Sequence, residues 1–408
     1  MQVSCYRQDM AQRPTLDFLK TESGAGSILG AMAVLAVILA NSPLAADYFS
    51  IINMKVPVQL GGFAEVRSVL GWVKDGLMAV FFLVVGMEIK FEILRGELSS
   101  PRRLALPLFA ALGGMIVPAL IYAGINAWAG HTVSGWPVAT PTDIAFALAG
   151  LAIFAPRLPP ALRVFLLTLA IADDLGAVAL IAALFSKTIH TAPLVGAGVS
   201  LAALAALSRW RRAPYLLYAV GFLTVWAFTL KSGVSTSLAG FACALTVPIS
   251  ARRADRGSAL KAFMDALHPY VAYVILPLFA LTCAGFSVRA TDMKHAFSPI
   301  TAGIVLGLVV GKPLGVFGFS LVAAMTRLGR RPTGVSWIEL LGAAMLCGAG
   351  FTMSLYMSAL AFDSTDPFAQ SQARMAVLAA SLAAVLAGGS LLSWYQANRA
   401  TAEQDDAA

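Results

Sequence analysis

Residues 161–185 form an apolar run that carries two adjacent carboxylates, Asp173 and Asp174. A run of this length can cross a bilayer, because a spanning helix needs ~20 residues at ~1.5 Å each. Arg163 lies near one end and Asp173 follows ten positions later, so the pair is expected roughly halfway through the hydrocarbon core. A carboxylate there costs at least ~2.5–3.5 kcal/mol. Two in succession predict an ion or proton pathway.

The composition places most of the chain in lipid. Of its 408 residues, 59% are hydrophobic and 12% are charged, whereas a soluble domain averages about 25% charged residues. The net charge of +8 does not indicate a nucleic-acid binder, because Lys and Arg cluster between apolar runs and form no stripe on a polar surface. The cysteines have no metal-ligand spacing, and no nucleophile, metal or phosphate motif predicts an enzyme.

Apolar runs between charges and turns predict an all-α membrane protein with about twelve spans. We expect these spans at residues 26–43, 69–90, 102–124, 132–154, 161–185, 192–208, 214–231, 235–249, 266–287, 298–326, 334–361 and 370–394. Lys and Arg concentrate in the N-terminal segment and in every second loop, so the positive-inside rule places both termini in the cytoplasm. Residues 1–24 are then a polar N-terminal segment, 25–396 the polytopic domain, and 397–408 a disordered tail.

The segment between the first two spans, residues 54–67, alternates in polarity and contains the pair Gly61-Gly62. This pattern predicts a β-hairpin on the outer face, although a plain loop explains the same residues equally well. The free edges of such a hairpin could pair with a second copy of the chain.

Lys312 lies inside a second apolar stretch, residues 300–322. An ammonium group in mid-span favours a carboxylate partner, and Asp173 or Asp174 is the candidate. Neighbouring helical residues diverge by ~100°, so one aspartate is expected to face an ion site and the other its partner. A structural salt bridge is the alternative interpretation, and it does not exclude transport.

Two predicted spans contain helix-breaking residues. In the fourth span, Pro141 disfavours helix at the preceding residue, and Thr142 and Asp143 can cap a new helix. In the eleventh, Gly348 and Gly350 loosen the helix. Interrupted spans at corresponding positions of two halves predict an inverted-repeat transporter with its site at the midplane. An ordinary kink at Pro141 is the alternative.

Charged residues are expected both at the interruptions and near one end of the second span. Asp143 would offset the positive N-terminal ends of half-helices, and Lys312 the negative C-terminal ends. Glu88, Lys90 and Glu92 form a cluster near the cytoplasmic end of the second span. That cluster either solvates a helix end or has a regulatory role.

The motifs that contain these residues resemble the NhaA family of sodium/proton antiporters. They occupy residues 74–88, 113–120, 139–147, 169–176, 311–315 and 346–354. The resemblance extends over residues 26–394 and implies exchange of Na⁺ or Li⁺ for a larger number of protons. It further implies a bacterial inner-membrane protein that serves pH and sodium homeostasis, without a cofactor, and a homodimer joined by the outer hairpin.

The resemblance also implies roles for individual residues. Asp174 would be the main ion ligand, with Asp173 beside it and paired with Lys312. Asp143 and Thr142 would lie where the interrupted helices cross.

A pathway or pH-response cluster is implied around Asp75 and Glu88, and here the chain departs from the family pattern. A basic residue of the family is Phe91 in this chain, a histidine associated with pH response is Ser235, and a glutamate of the ninth span is Met264. These departures leave the exchange site intact and concern the pH at which exchange begins.

The expected mechanism is competition between protons and Na⁺ for the same oxygens. Sodium is a hard cation that suits carboxylate, hydroxyl and carbonyl ligands. A sodium-coupled solute symporter of the bile-acid type is the alternative function, and it would need a cavity for an organic solute. A cation channel would need a filter-like repeat or charged ring, which the sequence lacks.

Overall fold

A computed structural model describes residues 22–60, 63–95, 101–130, 133–185, 189–210, 214–249, 251–253, 256–288, 298–362 and 367–405. The expected polar segment at 1–24 therefore lies almost wholly outside the described residues, and so does the Gly61-Gly62 pair. The described chain is predominantly helical, with short antiparallel strand pairs.

The α-helices follow one another in a bundle. They are α1 (Glu22–Asn41), α2 (Ala45–Asn53), α3 (Val69–Trp72), α4 (Met78–Arg95), α5 (Pro101–Trp128), α6 (Ile144–Phe154), α7 (Pro160–Leu184), α8 (Thr191–Leu207), α9 (Tyr215–Ser232), α10 (Thr236–Thr246), α11 (Ala259–Tyr270), α12 (Leu276–Cys283), α13 (Pro299–Leu306), α14 (Lys312–Met325), α15 (Trp337–Leu346), α16 (Phe351–Ala361) and α17 (Pro367–Asp405). A 3₁₀ helix, Val133–Ala139, precedes α6. π-Helical turns at Val73–Leu77, Val271–Ile275 and Gly307–Gly311 join α3 to α4, α11 to α12 and α13 to α14.

Six helices in the described residues are long and apolar enough to cross a membrane, and eight if two bent pairs are counted as spans. About twelve spans were expected, and each expected position carries helix. The described parts of α8, α9 and α10 are apolar but only 10–17 residues long. In the second expected span, α4 carries four charged residues, Glu88, Lys90, Glu92 and Arg95.

The two interrupted spans are bent where the sequence predicts a break. The 3₁₀ helix Val133–Ala139 and α6 meet at 43°, and α15 and α16 meet at 44°. The first half of the fourth span is therefore a 3₁₀ helix, not an α-helix.

The predicted hairpin is present as β1 (Lys55–Leu60) paired antiparallel with β2 (Phe63–Ser68). A second short pair, β3 (Ala251–Arg253) with β4 (Arg256–Ser258), was not expected. The expectation of a disordered tail from residue 397 is wrong as far as Asp405, because α17 continues to that residue. Residues 400–405 are mainly Ala, Glu and Gln, which are good helix formers.

Glycines allow α5 and α14 to approach backbone to backbone. A side chain on Gly113 would overlap the Gly315 carbonyl, and one on Gly315 would come within 3.0 Å of the Gly114 nitrogen. The Lys312 side chain lies against the same glycines, since a Cβ on Gly114 would sit 3.5 Å from its Cε. This contact sets the position of Lys312 relative to α5.

The buried apolar side chains form two clusters, and several spans pass from one to the other. Along α7, residues up to Leu169 belong to one cluster and residues from Ile171 to the other. In the bent pair α15–α16, Ala349 belongs to one cluster and Phe351 to the other. In the α13–α14 span, Leu308 and Val316 likewise belong to different clusters. The polar residues predicted for the ion site lie at or beside these transitions.

Candidate functional site

The two interrupted spans cross and hydrogen-bond to each other at their breaks. The Asp143 backbone nitrogen donates to the Ala349 carbonyl at 2.8 Å. The Thr142 hydroxyl donates to the Cys347 carbonyl at 3.0 Å. Backbone groups left without helical partners at each break are thereby satisfied by the other break, as burial requires.

Asp143 caps both half-helices that begin at the crossing. Its Oδ1 accepts from the Phe146 nitrogen of α6 at 3.0 Å. Its Oδ2 accepts from the backbone nitrogen of Thr352 at 3.0 Å and from the Thr352 hydroxyl at 2.5 Å. Helix N-termini carry partial positive charge, so one carboxylate stabilises two of them in a buried position.

Gly348 and Gly350 allow neighbouring backbone to approach closely, and this explains them better than backbone flexibility does. A Cβ on Gly348 would overlap the Leu308 carbonyl, and one on Gly350 would lie 2.9 Å from the Pro141 carbonyl. Both glycines have backbone angles open to other residues, since neither has a positive φ. Glycine is required at these two positions because the crossing segments leave no space for a Cβ.

Lys312 and Asp173 form an ion pair in the interior. The Lys312 Nζ lies 2.6 Å from Asp173 Oδ2, and neither side chain is exposed. Nζ also donates to the Thr140 carbonyl, just past the C-terminal end of the 3₁₀ helix, where partial negative charge is expected. The carboxylate partner that the sequence left open between two aspartates is thus Asp173.

Asp174 lines a small cavity. The cavity has a volume of about 290 Å³, and Thr142, Asp143, Asp174 and Thr352 are among its lining residues. Asp174 also interacts electrostatically with Asp143, Asp173 and Lys312. The adjacent aspartates therefore face different surroundings, one an ammonium group and the other a cavity.

Each aspartate keeps one oxygen without a hydrogen bond. Within the described part of the chain, no donor reaches Oδ1 of Asp173 or Oδ1 of Asp174, and both atoms are buried. Buried acceptors are normally satisfied. A proton or a hard cation at Asp174 would satisfy its oxygen, and Thr142, Asp143 and Thr352, which line the cavity beside it, carry further hydroxyl and carboxylate oxygens.

The same cavity extends to the cluster near the end of α4. Glu88, Glu92 and Phe91 line it, together with Met264 and His268 from α11. His268 was not a candidate from sequence, because it is predicted near a helix end. The cavity thus joins the aspartate site to a carboxylate cluster at one end of the bundle.

Lys90 lies close to that cluster but points elsewhere. Its Nζ donates to the carbonyls of Leu245 and Val247 at 2.6 Å each. It therefore binds the C-terminal end of α10, where a cation is favourable.

Asp75 and Ser235 are not brought to the cavity. Asp75 Oδ2 lies 2.5 Å from the Arg67 guanidinium of strand β2, so it joins the hairpin to the start of the second span. The Ser235 hydroxyl lies 2.8 Å from that of Ser237 at the beginning of α10.

Sequence reasoning did not select two groups of this site, Thr352 and the Thr140 carbonyl. Thr352 was identifiable by analogy, because it follows the second break as Thr142 and Asp143 follow the first. The carbonyl had no signal, since any residue before Pro141 supplies one.

Comparison with known proteins gives a family for this arrangement. The sequence model of the family described as Na⁺/H⁺ antiporter 1 matches residues 16–392. A relative from Bordetella parapertussis, named Na(+)/H(+) antiporter NhaA, is 46% identical over 384 residues, covering 92% of this chain and 95% of its own. One from Rhodospirillum rubrum with the same name is 43% identical over 401 residues, covering 96% and 100%. Na(+)/H(+) antiporter NhaA 2 of Erythrobacter litoralis is 42% identical over 376 residues, covering 92% of each chain. With a match of this extent, the chain belongs to the Na⁺/H⁺ antiporter 1 family.

Proposed function

We propose that this protein exchanges Na⁺ or Li⁺ for protons and exports sodium, with Asp174 as the main ion ligand. Relatives 42–46% identical are named Na⁺/H⁺ antiporters. The observation that carries the site assignment is the buried, unbonded Oδ1 of Asp174, on a residue that lines a cavity together with Thr142, Asp143 and Thr352. The cavity volume of about 290 Å³ lies just below the usual range of pockets for organic ligands, about 300–1,000 Å³.

Exchange follows from competition for these oxygens. Burial favours the neutral form of a carboxylic acid, whereas a cation favours the carboxylate. Na⁺ and protons therefore exclude each other at Asp174, with Thr142, Asp143 and Thr352 as the neighbouring oxygen donors. Lower pH raises the Na⁺ concentration needed for half-maximal exchange, because protons occupy the same site.

Lys312 and Asp173 supply a second proton-carrying group. Na⁺ at the site draws Asp173 away from Lys312, and the ammonium group then loses a favourable partner and releases a proton. More protons than sodium ions move in each cycle, so exchange is electrogenic. The inward proton gradient of a bacterial inner membrane drives sodium out.

The whole chain provides the alternating access that exchange requires. We infer twelve membrane-crossing segments with an inverted repeat, in which the crossing of the interrupted spans lies near the midplane. Both termini are cytoplasmic, and the cavity end at Glu88 and Glu92 opens toward that side. The β1–β2 hairpin lies on the outer face and pairs with a second copy to form a homodimer.

The experiment measures collapse of a pH gradient in everted membrane vesicles when Na⁺, Li⁺ or K⁺ is added, across a pH series. Asp174→Asn should abolish the Na⁺ and Li⁺ responses. Asp47→Asn is the matched control, because Asp47 is an exposed carboxylate on α2, and it should respond like the unsubstituted protein. Retained exchange in Asp174→Asn would remove the main site assignment.

The same vesicles separate antiport from the bile-acid type of symport. Antiport moves protons on addition of Na⁺ alone. A response that appears only with an added organic solute would favour the symporter, whatever the behaviour of the Asp174 variant.

A further inference from the structure

A second cavity lies at the end of the bundle that carries Arg163 and is separate from the exchange site. Its volume is about 780 Å³. The segment after α14 forms one wall, and α5 and α7 form the other. The lining residues are Leu106, Pro107, Ala161, Val164, Phe165, Thr168, Arg327, Leu328, Arg330, Arg331, Pro332 and Thr333.

The cavity is strongly basic. Arg327, Arg330 and Arg331 line it, and none of the lining residues is Asp or Glu. Among the described residues, no carboxylate pairs with these three guanidinium groups. Arg331 lies over the Trp337 ring at 5.6 Å, and this contact leaves its N–H donors for another group.

The arginine-bearing segment is held in a defined conformation. Arg327 adopts a left-handed φ of 59°, which costs energy for a residue with a Cβ. The Gly329 nitrogen donates to the Ala323 carbonyl at 3.0 Å. A Cβ on Gly329 would lie 2.9 Å from that of Leu106, so the segment is packed directly on α5. The guanidinium groups thus project from a short, anchored turn.

Exposed apolar side chains continue from the cavity along the same helices. Val164 and Leu328 line the cavity itself and are 42% and 55% exposed, and Met325 of α14 is 75% exposed. Leu108 and Leu112 of α5 are exposed as well. A ligand held by the arginines would therefore meet an apolar surface immediately beside its charged part.

We propose that this cavity binds the phosphate headgroup of an anionic phospholipid, with the acyl chains against α5, α7 and α14. Guanidinium groups recognise phosphate by paired N–H donors. Basic pockets between membrane helices are a known setting for such headgroups. The adjoining apolar surface favours a lipid over a free anion, because the acyl chains of a lipid can contact that surface and a free anion has no apolar part. This assignment does not depend on which ions the protein exchanges.

The test measures lipid retention and lipid-dependent heat stability of the purified full-length protein in detergent. Phosphatidylglycerol should bind and raise the unfolding temperature, whereas phosphatidylcholine with the same acyl chains and inorganic phosphate should not. Arg330→Gln with Arg331→Gln should weaken phosphatidylglycerol binding by roughly 30-fold, because each arginine contributes about 1 kcal/mol and tenfold in affinity corresponds to about 1.4 kcal/mol.

Two comparison variants make the result specific. Arg209→Gln with Lys261→Gln removes two exposed charges outside the cavity and should bind phosphatidylglycerol as the unsubstituted protein does. Arg330→Lys with Arg331→Lys keeps the charge but loses the paired donors, and should bind with intermediate affinity.

Several outcomes would overturn the proposal. Equal weakening by both glutamine pairs would mean diffuse surface attraction, and equal stabilisation by inorganic phosphate would mean a free-anion site. If the Arg330→Gln, Arg331→Gln protein were too unstable to purify, the lysine pair and a photoreactive phosphatidylglycerol would decide. The lipid should then label α5, α7 or α14 near the cavity in the unsubstituted protein, and labelling confined to other helices would contradict the site.

Discussion

Lys312 and Asp173 are each enclosed by protein, and they form an ion pair with 2.6 Å between Lys312 Nζ and Asp173 Oδ2. Desolvation of such a pair costs about as much as the attraction returns. The pair is therefore weak evidence for stability, which agrees with its proposed role in exchange. Removing only one member of the pair is destabilising, because the remaining charge stays buried and unpaired.

We predict that Lys312→Met destabilises the fold by about 3–5 kcal/mol, since it leaves the Asp173 carboxylate without its partner. The measurement is the loss of folded protein in detergent as temperature rises. Asp173→Asn combined with Lys312→Met removes both charges and should recover most of that stability while exchange stays lost. A double variant no more stable than Lys312→Met alone would show that Lys312 matters for packing and not for charge.

Thr352 offers a milder test at the same scale. Thr352→Val removes the hydroxyl that donates to Asp143 Oδ2 at 2.5 Å and should cost about 1.5–3 kcal/mol, the value for a hydrogen bond to a charged group. It should also raise the Na⁺ concentration for half-maximal exchange. Thr352→Ser keeps the hydroxyl and should stay close to the unsubstituted protein. Equal behaviour of the two variants would exclude the hydroxyl from the site.

Among the elements, α5 and α14 pack closely because glycines without side chains lie at their contact. Gly113 and Gly315 let the two backbones touch, and Lys312 stands one turn before Gly315 on α14. The position of the ammonium group in the core thus depends on residues that bear no functional group.

We predict that Gly315→Ala destabilises the protein by about 1–3 kcal/mol through overpacking and lowers the rate of exchange by displacing Lys312. Gly318 is the matched control on the same helix, because a Cβ there meets nothing within 4 Å. Gly318→Ala should be neutral or slightly stabilising, since Ala is the better helix former by up to about 1 kcal/mol. Similar losses from the two substitutions would mean that helix flexibility, not close approach, is what α14 requires.

At the scale of the whole molecule, the proposed orientation makes the cavity end at Met264 reachable from the cytoplasm. Met264→Cys, in a protein with Cys5→Ser, should react with a membrane-impermeant maleimide in everted vesicles and not in right-side-out vesicles. Cys243, Cys283 and Cys347 are buried and provide a low background. Labelling only in right-side-out vesicles would reverse the orientation.

The hairpin supports a prediction about assembly. Deleting residues 57–66 removes most of β1 and β2 but keeps Arg67, whose partner is Asp75. The shortened protein should be monomeric by light scattering in detergent and should retain Na⁺-dependent exchange. A shortened protein that remains dimeric would place the interface elsewhere.

Much of the candidate site could be predicted because charged residues within apolar runs are easily recognised in the sequence, and burying a charge in lipid is costly. Asp173, Asp174 and Lys312 interrupt runs that are otherwise apolar, and such residues need partners wherever they fold. Pro141 and the glycines at 348 and 350 marked the breaks, because their effects on the backbone are local. The helical tail was missed because polar composition was given more weight than helix propensity.

The amino-acid sequence by itself determined which groups would be buried, since burial follows from local hydropathy and from the length of a bilayer-crossing helix. It could not settle which aspartate takes the lysine, or that Asp143 caps two helices and Thr140 supplies a carbonyl. Those contacts join residues up to 209 positions apart. They exist only because glycine contacts bring α5 to α14 and two broken spans to their crossing, and such packing depends on the shapes of both partners.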